Sequence, residues 1–133
     1  YKKELKTKKT GFHAHNNLQL GFANSMQALH SGSKFCDATI NGIGRGAGNC
    51  PLELLIACLK NPKYHLEPVL RVIQDIFVDL QKDIEWGYII PYMITGILNE
   101  HPRVAIDLRN SARKDHYAEF YRQLTSPECY ENR

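Results

Sequence analysis

Two histidines stand two residues apart in Gly11-Phe12-His13-Ala14-His15-Asn16-Asn17. In a strand, side chains at i and i+2 leave the same face, so His13 and His15 can share one ligand. A pair of imidazoles joined by a carboxylate from elsewhere is a common way to hold a divalent transition ion, which polarises a carbonyl oxygen. Imidazoles ligate only when neutral, so acid weakens such binding. Histidines at this spacing also occur as ordinary hydrogen-bonded core or surface residues, and the spacing alone leaves both readings open. The second chemical feature is Gly42-Ile43-Gly44-Arg45-Gly46-Ala47-Gly48-Asn49. Its glycines let the backbone come close to a ligand. The N–H groups of this loop, and of a helix beginning near Pro51, suit a carboxylate.

The elements around these residues read in the order strand, helix, strand, glycine loop, helix. Residues 9–15 suit a buried parallel strand, after which Asn16 or Asn17 can cap a helix. Leu18, Phe22, Met26 and Leu29 then form an apolar stripe at helical spacing, and Ser31-Gly32-Ser33 ends it. Residues 35–43 read as the second strand. Pro51 fits a first helical position, with Glu53 answering free N–H groups of the first turn and Cys50 in the less usual role of cap. Both chemical features then fall at the C-terminal ends of parallel strands, where α/β barrels keep their chemistry.

The run GFHAHNNLQLGFANSMQAL followed by CDATINGIGRGAGNCPLELL resembles the sixth strand and helix, and the seventh strand and loop, of a known family. These are the metal-dependent aldolases and acyl-condensing enzymes built on a TIM barrel, including 4-hydroxy-2-oxovalerate aldolase, isopropylmalate and homocitrate synthases, and hydroxymethylglutaryl-CoA lyase. The resemblance implies an α/β fold: the C-terminal part of a (β/α)8 barrel, about two βα units, followed by an all-helical extension. By position it implies His13 and His15 as metal ligands and Asn49 as an additional one. The implied cofactor is Mn²⁺, with Co²⁺ or Mg²⁺ as alternatives. It further implies cleavage of a 4-hydroxy-2-oxo acid to pyruvate and an aldehyde, so the expected small-molecule partner is a 2-keto acid. Gly44, Gly46 and Asn49 take the place of substrate-binding loop residues. The glycine-cysteine-proline loop of the CoA-thioester lyases is longer and carries its cysteine earlier than Gly44-Arg45-Gly46 does, so Cys50 is not expected to be a nucleophile.

A TIM barrel needs about 250 residues, and this chain has 133, opening at Tyr1. The expectation is therefore a C-terminal piece of a longer protein: a barrel segment over 1–62, a helical extension over 63–124 and a flexible tail over 125–133. The catalytic base, an arginine and the carboxylate ligand are expected upstream, no catalytic residue is assigned within this chain, and the chain alone is expected to be inactive. Leu66, Leu70, Ile73, Phe77, Leu80 and Ile84 predict a core-facing helix. The apolar stretch 86–98 is too short to cross a bilayer, which takes about 20 residues, and Pro91 starts or bends a helix there. Its GYxxxY pattern resembles the region from which an aromatic hydroxyl approaches substrate in the hydroxy-oxovalerate aldolases, which places Tyr88 and Tyr92 as candidates beside the ordinary reading as core tyrosines. Residues 99–103 read as a helix break, with short helices over 104–109 and 116–124.

Net charge is +3. The cluster Lys2, Lys3, Lys6, Lys8 and Lys9 reads as the solvated face of an outer helix rather than a nucleic-acid patch, which pairs such charge with a recognised fold or aromatics. No membrane partner is expected. His30, His65, His101 and His116 lack partners at ligand spacing and read as surface residues. Cys36, Cys50, Cys58 and Cys129 form no CxxC pair, which fits a reducing cytoplasm, and Cys36 and Cys58 read as small buried hydrophobes. Two alternatives remain: a Claisen-type synthase condensing acetyl-CoA with a 2-keto acid, and a non-catalytic helical interaction module, since the extension of the aldolases binds a partner dehydrogenase. Two strands cannot close a barrel, so a homodimer covering the open side is also expected.

Overall fold

The computed structural model describes residues 4–126. Strand β1 (Gly11–His13) and strand β2 (Phe35–Asp37) pair in parallel, with Gly11 opposite Phe35, Phe12 opposite Cys36 and His13 opposite Asp37. Helix α1 (Gly21–His30) joins them. Phe12, Cys36 and Ala38 turn toward a core of Ala14, Cys50 and Leu55, with Phe22 and Met26 packed against it. One sheet face is thus covered by α1 and by helix α2 (Leu52–Leu59). Gly11, His13, Phe35 and Asp37, on the other face, are exposed.

Asn16 caps α1 from a distance: its Oδ1 accepts the Gly21 N–H at 2.9 Å, across a bend in which Gln19 has φ 59°. Leu18 therefore precedes the helix and is exposed, while Phe22 and Met26 of the same stripe reach the core. The predicted strand over 35–43 is shorter than expected. After Asp37 the chain enters a 3-10 turn at Ile40–Gly42, because residues 49–52 return and take its backbone groups. The Thr39 N–H donates to the Cys50 carbonyl at 3.0 Å and the Leu52 N–H to the Thr39 carbonyl at 2.9 Å. Pro51 is the residue before α2 and in extended conformation, so it is not the first helical residue and Cys50 is not the cap. The Glu53 carboxylate accepts the Asn41 N–H at 3.0 Å, tying the turn to the helix.

The helix expected over 66–84 is interrupted. Helix α3 (Leu66–Val72) runs into a π turn (Ile73–Phe77) and then helix α4 (Val78–Asp83), and none of the three has a buried residue. Leu70, Ile76, Val78 and Ile84 are exposed, so this is a half-covered surface helix rather than a core-facing one. Helix α5 (Ile90–Ile97), with Pro91 in its first turn, buries Tyr92, Ile94 and Thr95. Helix α6 (Pro102–Arg109) starts under a cap from His101, whose Nδ1 accepts the Arg103 N–H at 3.1 Å. Helix α7 (Tyr117–Thr125) buries Phe120. Residues 4–10 hold no helix, and Lys6 and Lys8, on bends, and Lys9 after them are exposed; Lys2 and Lys3 lie outside the described residues. Cys58 is exposed rather than buried and Cys36 is half-buried; Cys129 and residues 127–133 of the expected tail lie outside the described residues. Among the described residues no helix is long and apolar enough to cross a membrane.

Candidate metal and substrate site

The site grows from the end of β1. Its alternation sends Phe12 and Ala14 into the core and leaves His13 and His15 together on the uncovered face, their ring centroids 5.0 Å apart and nearly edge to face. The returning segment holds this end in place. His15 bridges Asn49 antiparallel, with the Asn16 N–H donating to the Gly48 carbonyl at 2.9 Å and the Cys50 N–H to the Ala14 carbonyl at 3.0 Å. The Asn49 side chain donates through Nδ2 to the Ile43 carbonyl at 3.1 Å, so its Oδ1 is the atom left to accept or ligate. His13 Nδ1 lies 3.3 Å from Asp37 Oδ2, with both side chains solvent-accessible.

The glycines of the loop serve close contacts inside the chain. A Cβ on Gly44 would meet the Asn49 side chain at 2.6 Å, and one on Gly46, whose φ is +65°, would sit within 2.8 Å of three Tyr92 ring atoms. Tyr92 is 3% exposed. Its hydroxyl accepts from Arg109 Nη1 at 3.4 Å, and the Arg109 guanidinium also lies over its ring. Arg109 is paired in turn with Glu85. A cavity of about 420 Å³ opens between His15 and Tyr92, lined also by Asn17, Asn24, Arg45 and an apolar wall from Leu18, Leu20, Gly96 and Pro102. The Arg45 carbonyl accepts the Gly48 N–H at 3.3 Å, and its side chain makes no hydrogen bond or ion pair among the described residues. Such a cavity can present one imidazole, one free cation and two amides to a small polar molecule.

Of the residues singled out in the sequence, His13 and His15 lie side by side, the Asn49 backbone bridges that of His15, and His15 and Tyr92 both line the cavity. Gly44 and Gly46 lie behind Asn49 and Tyr92 rather than in the cavity wall, and Tyr88 is 61% exposed and outside that wall. Among the described residues no group of three or more His, Cys, Asp or Glu is arranged to hold an ion. Two imidazoles and an amide oxygen suit a divalent ion as part of its shell, and the remaining donors must come from elsewhere. Asp37 and Arg45 were not identified from sequence. The signal for Asp37 lay in strand register, since it pairs with His13 in a parallel ladder, and Arg45 is the one charged residue of the glycine loop. Cys50 is fully buried, and desolvation pushes its thiol up, which keeps it protonated and a poor nucleophile.

A sequence-family model described as HMGL-like matches residues 2–80. A 4-hydroxy-2-oxovalerate aldolase from Thermus thermophilus is 49% identical over 73 residues, covering 55% of this chain and 20% of that protein. An oxaloacetate decarboxylase from Mycobacterium tuberculosis is 49% identical over 59 residues, 44% of this chain and 17% of that protein. A 4-hydroxy-2-oxovalerate aldolase from Desulfitobacterium hafniense is 37% identical over 98 residues, 72% of this chain and 26% of that protein. The crystal structure of the N-terminal domain of a protein assigned as an aldolase, from Bacteroides vulgatus, superposes with a TM-score of 0.68 at 38% identity, over 87% of this chain and 41% of that one. The chain thus spans between 17% and 26% of the length of these three curated relatives.

Proposed function

We propose, from the premise that this chain belongs to the HMGL-like family, that it carries part of the site of a divalent-metal-dependent aldolase. The reaction is cleavage of a 4-hydroxy-2-oxo acid to pyruvate and an aldehyde, within a (β/α)8 barrel to which residues 1–62 contribute and which residues 63–124 extend. The observation that carries this reading is the pairing of His13 and His15 at the end of a parallel strand, with Asn49 bridged to His15 and its amide oxygen free. The aldolase relatives support the reaction class. In a closed barrel, the uncovered sheet face would be interior.

His13, His15 and Asn49 would hold Mn²⁺, with Co²⁺ or Mg²⁺ as alternatives; when bound, such an ion supplies Lewis-acid polarisation of a carbonyl oxygen. Arg45 offers a guanidinium to a substrate carboxylate, matching it in planar two-point geometry. Tyr92 and the Leu18, Leu20 and Pro102 wall shape the space for the rest of the molecule. The base that moves the substrate hydroxyl proton and the remaining metal donor belong, in this reading, to another part of the protein. The chain alone is then inactive.

Calorimetric titration with Mn²⁺ and a pyruvate-release assay coupled to lactate dehydrogenase test the proposal. The 133-residue chain should bind the ion weakly, lose binding on His13→Ala or His15→Ala, and release no pyruvate. Binding that survives both substitutions would place the ligands elsewhere, and robust pyruvate release by the chain alone would overturn the division of the site.

A further inference from the structure

β2 sets Asp37 directly across from His13 on the uncovered face. Paired residues of neighbouring strands hold their side chains close enough to interact, and here His13 Nδ1 lies 3.3 Å from Asp37 Oδ2. An ionised carboxylate can only accept. Nδ1 must therefore carry the imidazole proton, which leaves Nε2 as the nitrogen with a free lone pair. The His15 side chain makes no hydrogen bond among the described residues and rests edge to face on His13, so the orientation of His13 also sets that of its neighbour. The contact is nearly 50% exposed on the histidine side and more on the aspartate side, 48% and 72%. Exposed ion pairs add little to stability, so stability does not explain it.

We infer that Asp37 is a positioning residue: it holds His13 as the Nδ1–H tautomer and turns Nε2 toward a divalent cation shared with His15. This rests on the metal reading above. A ligating histidine commonly donates its second ring N–H to a carboxylate or carbonyl, which fixes the ring and strengthens the donor. β1 and β2 supply the two halves of that arrangement from adjacent strands, and the His15 bridge to Asn49 adds an amide oxygen on the same side.

Two measurements on the 133-residue chain test this. The first is an imidazole nitrogen–proton correlation spectrum without metal, at about pH 8, where imidazoles are neutral. His13 should be the Nδ1–H tautomer in the native chain and in Asp37→Asn, whose amide oxygen still accepts, and should move toward Nε2–H in Asp37→Ala. A native His13 found as Nε2–H overturns the inference without any variant. The second is a Co²⁺ titration followed by visible absorption. Asp37→Ala should weaken binding about 10- to 100-fold, with Asp37→Asn retaining most of it. An unchanged affinity in Asp37→Ala overturns the positioning role, and an equal loss in both variants overturns it in favour of Asp37 as a direct ligand. If His13→Ala and His15→Ala leave the Co²⁺ affinity untouched, the metal reading itself fails, an outcome separate from the tautomer result.

Discussion

Between residues 10 and 59 the backbone bonds across long stretches of sequence: Thr10 accepts from Lys34, Ala14 from Cys50, and Gly48 from Asn16. Between residues 66 and 125 the backbone bonds are local apart from the Gly87 N–H, which donates to the Gly46 carbonyl at 3.2 Å, and a few large side chains do most of the joining. Trp86 donates through Nε1 to the Asn41 carbonyl at 2.8 Å, and Tyr92 fills the space above Gly46. The difference bears on the site. Histidines held by a backbone ladder keep their positions through side-chain fluctuation, whereas the wall that α5 supplies depends on how two aromatic rings seat. The first region fixes the candidate ligands and the second shapes what reaches them.

Glycine substitution gives the largest test of that contrast. A Cβ on Gly48 would lie 2.2 Å from the Gly42 carbonyl oxygen at φ +76°, whereas one on Gly87, at φ +113°, meets nothing within 4 Å. The first clash is with backbone and cannot be relieved by a rotamer. Gly48→Ala should lose about 4 kcal/mol or more in urea denaturation, and Gly87→Ala only about 1–3 kcal/mol of conformational strain. Equal losses would mean that the loop is no more tightly determined than the connection into α5.

The side-chain joint comes next. Trp86 is 7% exposed, and Trp86→Ala removes both its burial and the hydrogen bond to Asn41, an expected loss of about 3–5 kcal/mol. Ile84→Ala, two residues away and half exposed, should change stability by roughly 0.5 kcal/mol. Similar losses at the two positions would show that α4 packs more tightly than its exposure indicates.

Sequence spacing was informative where a pattern is local. The start of α5 at Pro91 and the apolar positions Phe22 and Met26 follow from residue type and periodicity, whereas α6 begins at Pro102, inside the segment read as a break. What escaped was set by distant partners. Ile40-Asn41-Gly42-Ile43 reads as the end of a strand, yet it turns: the Gly42 and Ile43 N–H groups close onto Thr39 and Ile40, the Asn41 N–H goes to the Glu53 carboxylate, and the Gly42 carbonyl accepts from the Asn49 N–H. The six apolar residues from Leu66 to Ile84 keep helical spacing, which does not register the π turn or say how little of that face has anything to pack on. Asp37 is an unremarked acidic residue until register puts it beside His13.

A smaller effect falls on the approach to α1. Asn16 is the acceptor for the Gly21 N–H, five residues away, in place of a neighbouring cap. Asn16→Ala should cost about 1 kcal/mol, in the range of an ordinary cap; Gln19, whose φ is positive, keeps its bonds to the Asn16 backbone carbonyl and loses only the side-chain contact to Asn16 Nδ2 at 3.4 Å. A loss below the error of the melt would show that the backbone bond from Asn16 to Gly48 alone holds this corner.

The last expected effect is a slope, absent at neutral pH. Cys50 lies in the backbone-stitched region, fully buried, and desolvation pushes its thiol up, outweighing the opposite pull of the nearby Ser25 hydroxyl. The unfolded thiol ionises near about 8.5. Above that pH and below the raised native value, the unfolded chain has released a proton that the native chain retains. The unfolded state then binds fewer protons, so stability falls as pH rises, by at most about 1.4 kcal/mol per pH unit. Below about pH 8 both states hold the thiol and the effect vanishes. Urea denaturation of the native chain and of Cys50→Ala, at about pH 7.5 and about pH 9.5 on either side of the unfolded value, separates this slope from the constant loss caused by truncating the side chain. The native chain should lose more between the two conditions than the variant does. Identical pH slopes would mean that Cys50 ionises as readily in the fold as out of it, and that the seam beneath His15 and Asn49 admits water.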